Sequence, residues 1–161
     1  CVISGRKFLF PEGRQLDWLE KQLEIRMDAA WRLILCHAPL LAHNPNRNEG
    51  NPYLDRNRRL QEIIEHSGNI IFVSGHTHIS PNVEGGCVEY DSERNIIYLI
   101  GGSVVTTSMG NESGLMDPGW ADGCVSRIRI SDTEIEIGMR SVADGSWFPR
   151  GYYLFQRMKG R

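Results

Sequence analysis

Residues 69–78, NIIFVSGHTH, join an apolar run to two histidines and decide how the rest of the chain is interpreted. A short apolar run of this kind predicts a buried strand. A second apolar run, WRLILC at residues 31–36, predicts another buried strand, and a histidine follows it directly as well. A helical pattern lies between the two runs, and strands that alternate with helices favour a mainly parallel sheet.

Two amphipathic helices are predicted around these strands. The first covers residues 12–29, EGRQLDWLEKQLEIRMDA, with Gly13 and Pro11 marking its start. Its apolar positions recur at helical spacing: Leu16, Leu19, Leu23 and Met27. The second helix covers residues 54–67 and ends at Gly68 in the C′ position. Its inner face carries Leu60, Ile63 and Ile64.

The second half of the chain changes to short strands. They are predicted at residues 88–90, 96–100, 125–130, 134–139 and 152–155. A turn is expected at residues 131–133, a short strand at 1–4, and long loops at 41–53 and 106–123. The predicted fold class is therefore mixed α/β, of the α+β kind, with residues 1–161 forming one domain without a linker.

The composition argues against several classes of protein. The 161 residues carry 18 Lys and Arg against 20 Asp and Glu, a formal net charge of -2, which argues against a dedicated nucleic-acid partner. An apolar run of roughly 20 residues, which a membrane-spanning helix needs, does not occur, so no membrane partner is expected. Four cysteines, Cys1, Cys36, Cys87 and Cys124, lie far apart and form no CxxC pair. We therefore predict reduced, buried thiols in a cytoplasmic protein.

Three histidines are candidate metal ligands. His76 and His78 stand at positions i and i+2 after Gly75, so in an extended segment both rings point the same way. His37 follows the other predicted strand. Because sites in open α/β sheets form at the carboxyl ends of strands, neighbouring strands would bring the three imidazoles into one crevice. Imidazole binds zinc, iron, manganese and nickel, and the glycine is expected to let the backbone turn tightly.

The order strand, CHAPL (36–40), helix, strand, GHTH (75–78) resembles the last two motifs of the calcineurin-like metallophosphoesterases. The resemblance implies the C-terminal half of a four-layer β-sandwich flanked by helices, and metal-dependent hydrolysis of a phosphate ester by a phosphatase or phosphodiesterase. It also implies a dinuclear centre of divalent Mn, Fe, Zn or Ni. By the same resemblance His37 and His76 would bind one metal ion, and His78 the other.

The early motifs of that family, Asp-x-His, Gly-Asp and Gly-Asn-His, do not occur in the 161 residues. Gly110-Asn111-Glu112 is a partial echo that stands after GHTH and lacks the histidine. The chain is therefore expected to be an incomplete fragment that begins beyond the third motif, binds one metal ion or none, and is inactive in isolation. An exposed sheet edge or apolar face is expected, covered by a second copy of the chain or by the missing N-terminal half.

Weaker candidates and other interpretations stay open. His43 and Arg47 lie in the predicted loop where they could contact substrate, whereas Arg56, Arg58 and Arg59 favour a solvated helix face. A cupin-like mononuclear site would use His76, His78 and Glu84, but that spacing is long and a helical first half does not suit an all-β barrel. The alternative from another functional class is a non-catalytic binding module that kept the fold and lost the dinuclear site.

Overall fold

A computed structural model describes residues 2–4, 7–9, 13–37, 39–40, 43, 58–75, 77–83, 85–104 and 123–156. Its elements, in chain order, are β1 (Val2–Ser4), β2 (Lys7–Leu9), α1 (Arg14–Ile25), β3 (Arg32–Leu35), α2 (Arg58–Ser67), β4 (Ile70–Ser74), β5 (Val88–Asp91), β6 (Ile96–Ile100), β7 (Cys124–Ile130), β8 (Glu134–Ser141) and β9 (Trp147–Gln156). The predicted mixed α/β class is confirmed.

The described strands form three sheets. A four-stranded sheet has the order β3-β4-β6-β5, in which β3, β4 and β6 are parallel and β5 is antiparallel. The order β7-β8-β9 makes an antiparallel three-stranded sheet, and β1 pairs with β2 in a small hairpin. The mainly parallel arrangement predicted for the first half is therefore confirmed, and β3 and β4 are neighbours.

Strands β4 and β6 of the four-stranded sheet are covered on both faces, which explains why they are apolar apart from Ser74 and the hydroxyl of Tyr98. Alternate residues of β4 and β6 pack under both helices, with Ile70, Phe72 and Tyr98 in that cluster. The intervening residues, such as Ile71 and Leu99, pack against the three-stranded sheet. Because successive side chains of a strand point to opposite faces, a strand between two layers buries nearly all of its side chains and is therefore mostly apolar. The described layers are helices, sheet and sheet.

Helix α1 is shorter than the sequence pattern predicts. The pattern includes Met27, but the helix ends at Ile25, and the Met27 N–H bonds the Glu24 carbonyl, three residues back. This tighter turn takes Met27 out of the apolar stripe, and 73% of it is exposed. Leu16 and Leu23 are buried as predicted.

The ends of α1 and α2 are joined by one buried cation, Arg32 of β3. Only 8% of this residue is exposed. Its guanidinium donates to the Leu23 carbonyl at 2.9 Å, to the Ser67 carbonyl at 2.7 Å and to the Gly68 carbonyl. Carbonyls at helix C-termini lack partners within the helix and carry partial negative charge, so a cation suits this place. Burial lowers the pKa of Arg32.

The structure extends or adds two strands that the sequence pattern missed. The sequence pattern predicted the last strand at residues 152–155. In the structure, β9 begins at Trp147 and contains Pro149. A proline is tolerated there because β9 is an edge strand, where one backbone N–H needs no partner in the sheet. Strand β2 was not predicted at all. The predicted loops at 41–53 and 106–123, and the predicted helical residues 54–57, lie almost wholly outside the described residues.

The described cysteines are buried, and the described helices are short. Cys36, Cys87 and Cys124 are buried thiols, as predicted, while Cys1 lies outside the described residues. Burial raises the pKa of Cys87 and of Cys124, which makes both thiols unreactive as thiolates. Neither of the two described helices combines the length and the apolar character that a bilayer crossing requires.

Candidate metal centre

The carboxyl ends of β3, β4 and β6 meet at one edge of the four-stranded sheet. Beyond β3, the His37 carbonyl accepts a hydrogen bond from the Gly75 N–H at 2.9 Å. Beyond β4, the Ser74 carbonyl accepts one from the Gly101 N–H at 2.7 Å. The segments that contain His37 and the Gly-His-Thr-His motif therefore leave the sheet side by side. The meeting of all three imidazoles stays a prediction, because His76 lies outside the described residues.

The space around Gly75 would accept a larger side chain. A Cβ added to Gly75 would meet the His37 carbonyl oxygen at 3.7 Å, which is an ordinary contact. Its φ is also outside the left-handed region, which in this segment is occupied by His78. An alanine at residue 75 would therefore meet no close contact, although a tight turn does begin at Gly75, whose carbonyl accepts a hydrogen bond from the Thr77 N–H.

His78 holds the unusual backbone conformation of this segment. Its φ is 51°, in the left-handed region, and its side chain is exposed. A non-glycine residue in this region carries a strain of about 1–2 kcal/mol. Strain of this kind gathers at functional sites, where the surrounding structure holds a residue against its preference. Just before it, the Thr77 N–H bonds the Gly75 carbonyl at 2.7 Å, so the chain folds back tightly in front of His78.

Because of this strain, a glycine at residue 78 is expected to be more stable than an alanine, which is the reverse of the usual order. His78→Gly is expected to be more stable than His78→Ala by about 1 kcal/mol, because glycine adopts a positive φ without penalty. The measurement is the free energy of unfolding in urea. His37, whose φ is not positive, is the matched control, where alanine is expected to be more stable than glycine. Equal stability of both His78 variants would contradict the strained conformation.

A buried polar atom lies within the same segment. The Thr77 hydroxyl oxygen is buried and finds no hydrogen-bond partner among the described residues. Buried polar groups are nearly always paired with protein, water or an ion, so a polar partner is expected for this hydroxyl. Among the described residues, which do not include His76, no group of three His, Cys, Asp or Glu side chains is positioned to hold a metal ion.

His43 is placed by two side chains that the sequence analysis did not single out. Its Nδ1 lies 2.8 Å from Glu89 Oε1, and its ring stacks on the ring of Tyr98 with centroids 3.4 Å apart. Only 12% of the side chain is exposed. Glu89 and Tyr98 are directly opposite each other on β5 and β6. His43, which follows β3 in the chain, therefore contacts the two strands at the other end of the strand order.

The sequence did not predict this contact, although Tyr98 is an unusual residue in its strand. Tyr98 places one hydroxyl in the apolar strand IIYLI, and a buried hydroxyl usually needs a partner. That oxygen is buried without a hydrogen-bond partner among the described residues, and burial raises the pKa of Tyr98. The structure therefore gives His43 a packing role, while its predicted contact with substrate stays a prediction.

The arginines near the predicted loop divide into two groups. Arg47 and Arg56 lie outside the described residues. Arg58 and Arg59 are exposed on α2, and Arg59 pairs with Asp17 and Glu20 of α1. This pairing between helices agrees with the solvated helix face expected for Arg58 and Arg59.

Comparison with known proteins does not assign this chain to a family. No model of a known protein family matches this chain, and no curated protein sequence matches it. The similarity to the calcineurin-like metallophosphoesterases therefore depends on the CHAPL and GHTH motifs and on the strands that precede them.

Proposed function

We propose that this chain supplies the late histidine ligands of a metal-dependent phosphoester hydrolase, a phosphatase or phosphodiesterase. One observation carries the proposal: the segments containing His37 and Gly75–His78 follow adjacent parallel strands and are joined by the hydrogen bond from the Gly75 N–H to the His37 carbonyl. Adjacent strand ends are where ligands from separate parts of a chain converge in open α/β sheets. The layers of helices, sheet and sheet would be part of a four-layer sandwich.

The donor set fits one metal ion better than two. Imidazole at neutral pH is a good ligand for zinc, iron, manganese and nickel, and the Thr77 hydroxyl, which has no hydrogen-bond partner among the described residues, adds a polar atom nearby. Two dications about 3.5–4 Å apart repel each other strongly unless a carboxylate lies between them. The 161 residues contain none of the family's carboxylate motifs, so a dinuclear centre requires ligands from polypeptide outside this sequence.

The histidines would hold the metal, and the backbone would orient them. His78 is set by its strained φ, and His37 by the hydrogen bond from Gly75 to its carbonyl. A metal bound at such a site lowers the pKa of a coordinated water and stabilises the charge that develops on a phosphate ester. The substrate is therefore proposed to be a phosphate ester.

A cytoplasmic location is part of the same proposal, since buried thiols persist in reducing compartments.

Metal titration of the 161-residue chain tests the ligand assignment. Calorimetry with Mn²⁺ and with Zn²⁺ is expected to show at most one bound equivalent. His37→Ala, His76→Ala and His78→Ala are each expected to weaken binding by about tenfold or more, because each removes one donor. His66→Ala, at the exposed end of α2, is the matched control and is expected to leave metal affinity unchanged. Two tightly held equivalents, or binding that survives all three substitutions, would contradict the assignment.

Hydrolysis tests the activity separately. A longer protein that joins this sequence to Asp-x-His and Gly-Asn-His motifs should hydrolyse an aryl phosphate or phosphodiester when Mn²⁺ is added, and His76→Ala should abolish turnover. Turnover that survives His76→Ala removes that histidine from the mechanism. A protein that binds no metal and hydrolyses neither ester would favour the non-catalytic binding module.

A further inference from the structure

His43 is held against the sheet by side chains of two different strands. Its Nδ1 lies 2.8 Å from Glu89 Oε1 on β5, and its ring stacks on the ring of Tyr98 on β6. Only 12% of the His43 side chain is exposed, so the hydrogen bond forms largely away from water, where it is stronger. Tyr98 is 2% exposed in the core under the helices, so it provides a fixed surface for the stacked imidazole.

The chain crosses the sheet between His37 and His43. His37 directly follows β3, whereas His43 lies on β6 and β5, the third and fourth strands in the order β3-β4-β6-β5. Neighbouring strands lie about 4.8 Å apart, so the crossing spans roughly 10–14 Å. The chain between these two histidines reaches about 20 Å when fully extended. A short connection, defined here as the 37–43 connection, therefore couples the two histidines.

The 37–43 connection is attached to the sheet near both of its ends. Near its start, the His37 carbonyl accepts the hydrogen bond from the Gly75 N–H at 2.9 Å, at the end of β4. At its other end, His43 is attached through its hydrogen bond and its stack. Residues outside helices and strands open readily unless tertiary contacts hold them. His37 lies outside β3, so its place beside the Gly-His-Thr-His motif depends on the contacts at both ends.

Glu89 is the member of this cluster that can be changed with the least effect on the core. Its side chain is 39% exposed, whereas Tyr98 is part of the core under the helices. A carboxylate that accepts a hydrogen bond from one ring nitrogen of a histidine fixes the orientation of the ring. Without this carboxylate, His43 keeps its stack on Tyr98 but loses the contact that sets its direction.

We infer that Glu89 is a positioning residue: through His43 it holds the 37–43 connection, and with it His37, at the edge of the sheet where the proposed metal site lies. Loss of the carboxylate is expected to let the connection open more often, because the hydrogen bond to His43 is one of the contacts that close it. The consequence for metal binding rests on the proposed function, whereas the consequence for the position of His37 does not.

Hydrogen exchange of the Gly75 amide tests the positioning directly, because its acceptor is the His37 carbonyl. In the 161-residue chain, Glu89→Ala is expected to lower the protection of this amide by about tenfold or more, since hydrogen bonds to charged groups are among the stronger ones. The Gly101 amide, which donates to the Ser74 carbonyl at the same edge of the sheet, is the internal control and should keep its protection.

Two further variants separate positioning from a general loss of stability. Glu89→Gln keeps an oxygen that can accept from His43 Nδ1, so it should restore most of the protection of the Gly75 amide. Glu93→Ala, at an exposed acid just after β5, is the matched control and should leave that protection unchanged. Unchanged Gly75 protection in Glu89→Ala overturns the inference. An equal loss at Gly75 and Gly101 overturns it as well, since that result means that the whole sheet has become less stable.

Metal affinity tests the link to the proposed function. In calorimetry with Zn²⁺, Glu89→Ala is expected to weaken binding by about threefold or more, a smaller loss than removal of a ligand causes, and Glu89→Gln should bind almost as the native chain does. Native affinity in Glu89→Ala, together with lost binding in His37→Ala, overturns the inference and leaves the proposed function standing. A native chain that binds no Zn²⁺ contradicts the proposed function instead, and the exchange of the Gly75 amide then decides the role of Glu89.

Discussion

Arg32→Ala is expected to lower the free energy of unfolding by about 2–4 kcal/mol, because hydrogen bonds to a charged group contribute roughly 1.5–3 kcal/mol each before the arginine's own desolvation is offset. The substitution removes the donors to carbonyls of Leu23, Ser67 and Gly68 and leaves those oxygens buried at two helix ends. It also removes one of the contacts between α1 and α2, since this guanidinium bonds carbonyls at the ends of both. Urea unfolding followed by circular dichroism is the measurement.

Two further substitutions at this position separate charge from shape. Arg32→Lys keeps the charge but cannot reach three carbonyls with the geometry of a guanidinium, so its stability should be intermediate. Arg32→Met keeps most of the volume and removes every donor, so it should be almost as unstable as the alanine variant. A methionine variant as stable as the native chain would show that the carbonyl network contributes nothing.

Gly102→Ala is expected to lower the free energy of unfolding by about 3 kcal/mol or more, from two causes at one residue. The φ of Gly102 is 83°, which an alanine adopts only under strain. The added Cβ would also lie 2.1 Å from Cys124 Sγ and 3.3 Å from the Cys124 carbonyl oxygen, both buried where β7 begins. Because the core is close-packed, β6 and β7 would have to separate.

A matched glycine isolates the backbone contribution. Gly145 has a φ of 72°, and a Cβ added there would meet nothing within 4 Å. Gly145→Ala should therefore show the backbone penalty alone, about 1 kcal/mol. In a double-mutant cycle, Cys124→Ala should recover part of the loss caused by Gly102→Ala, because it removes the sulfur that the methyl group meets. Additive effects in that cycle would contradict the steric explanation.

The helices and the central strands could be predicted because their signals are local. Apolar spacing at 3.6 residues in α1, and unbroken apolar runs in β4 and β6, report directly on one or two buried faces. The prediction erred where a tertiary contact decides the outcome. Pro149 is compatible with β9 only because that strand lies at a sheet edge, and Met27 is exposed because the chain turns before it.

The candidate site shows the same division. The histidine motifs, and their position directly after strands, are visible in the sequence because each one depends on neighbours along the chain. The sequence left the adjacency of β3 and β4 as a condition, and the structure meets it. By contrast, the contacts of His43 with Glu89 and Tyr98 join residues about fifty positions apart, and no pattern in the chain predicts them.

Local spacing along the chain was enough to establish a mixed α/β fold, two amphipathic helices, apolar central strands and the place of the candidate histidine motifs after two of those strands. It was not enough to establish the strain at His78, the inward turn of the Arg32 guanidinium or the uncovered leucines of β3. The physical reason is that spacing reports which side chains prefer to be buried. Which neighbours bury them, and which are left exposed, depends on how distant segments pack together.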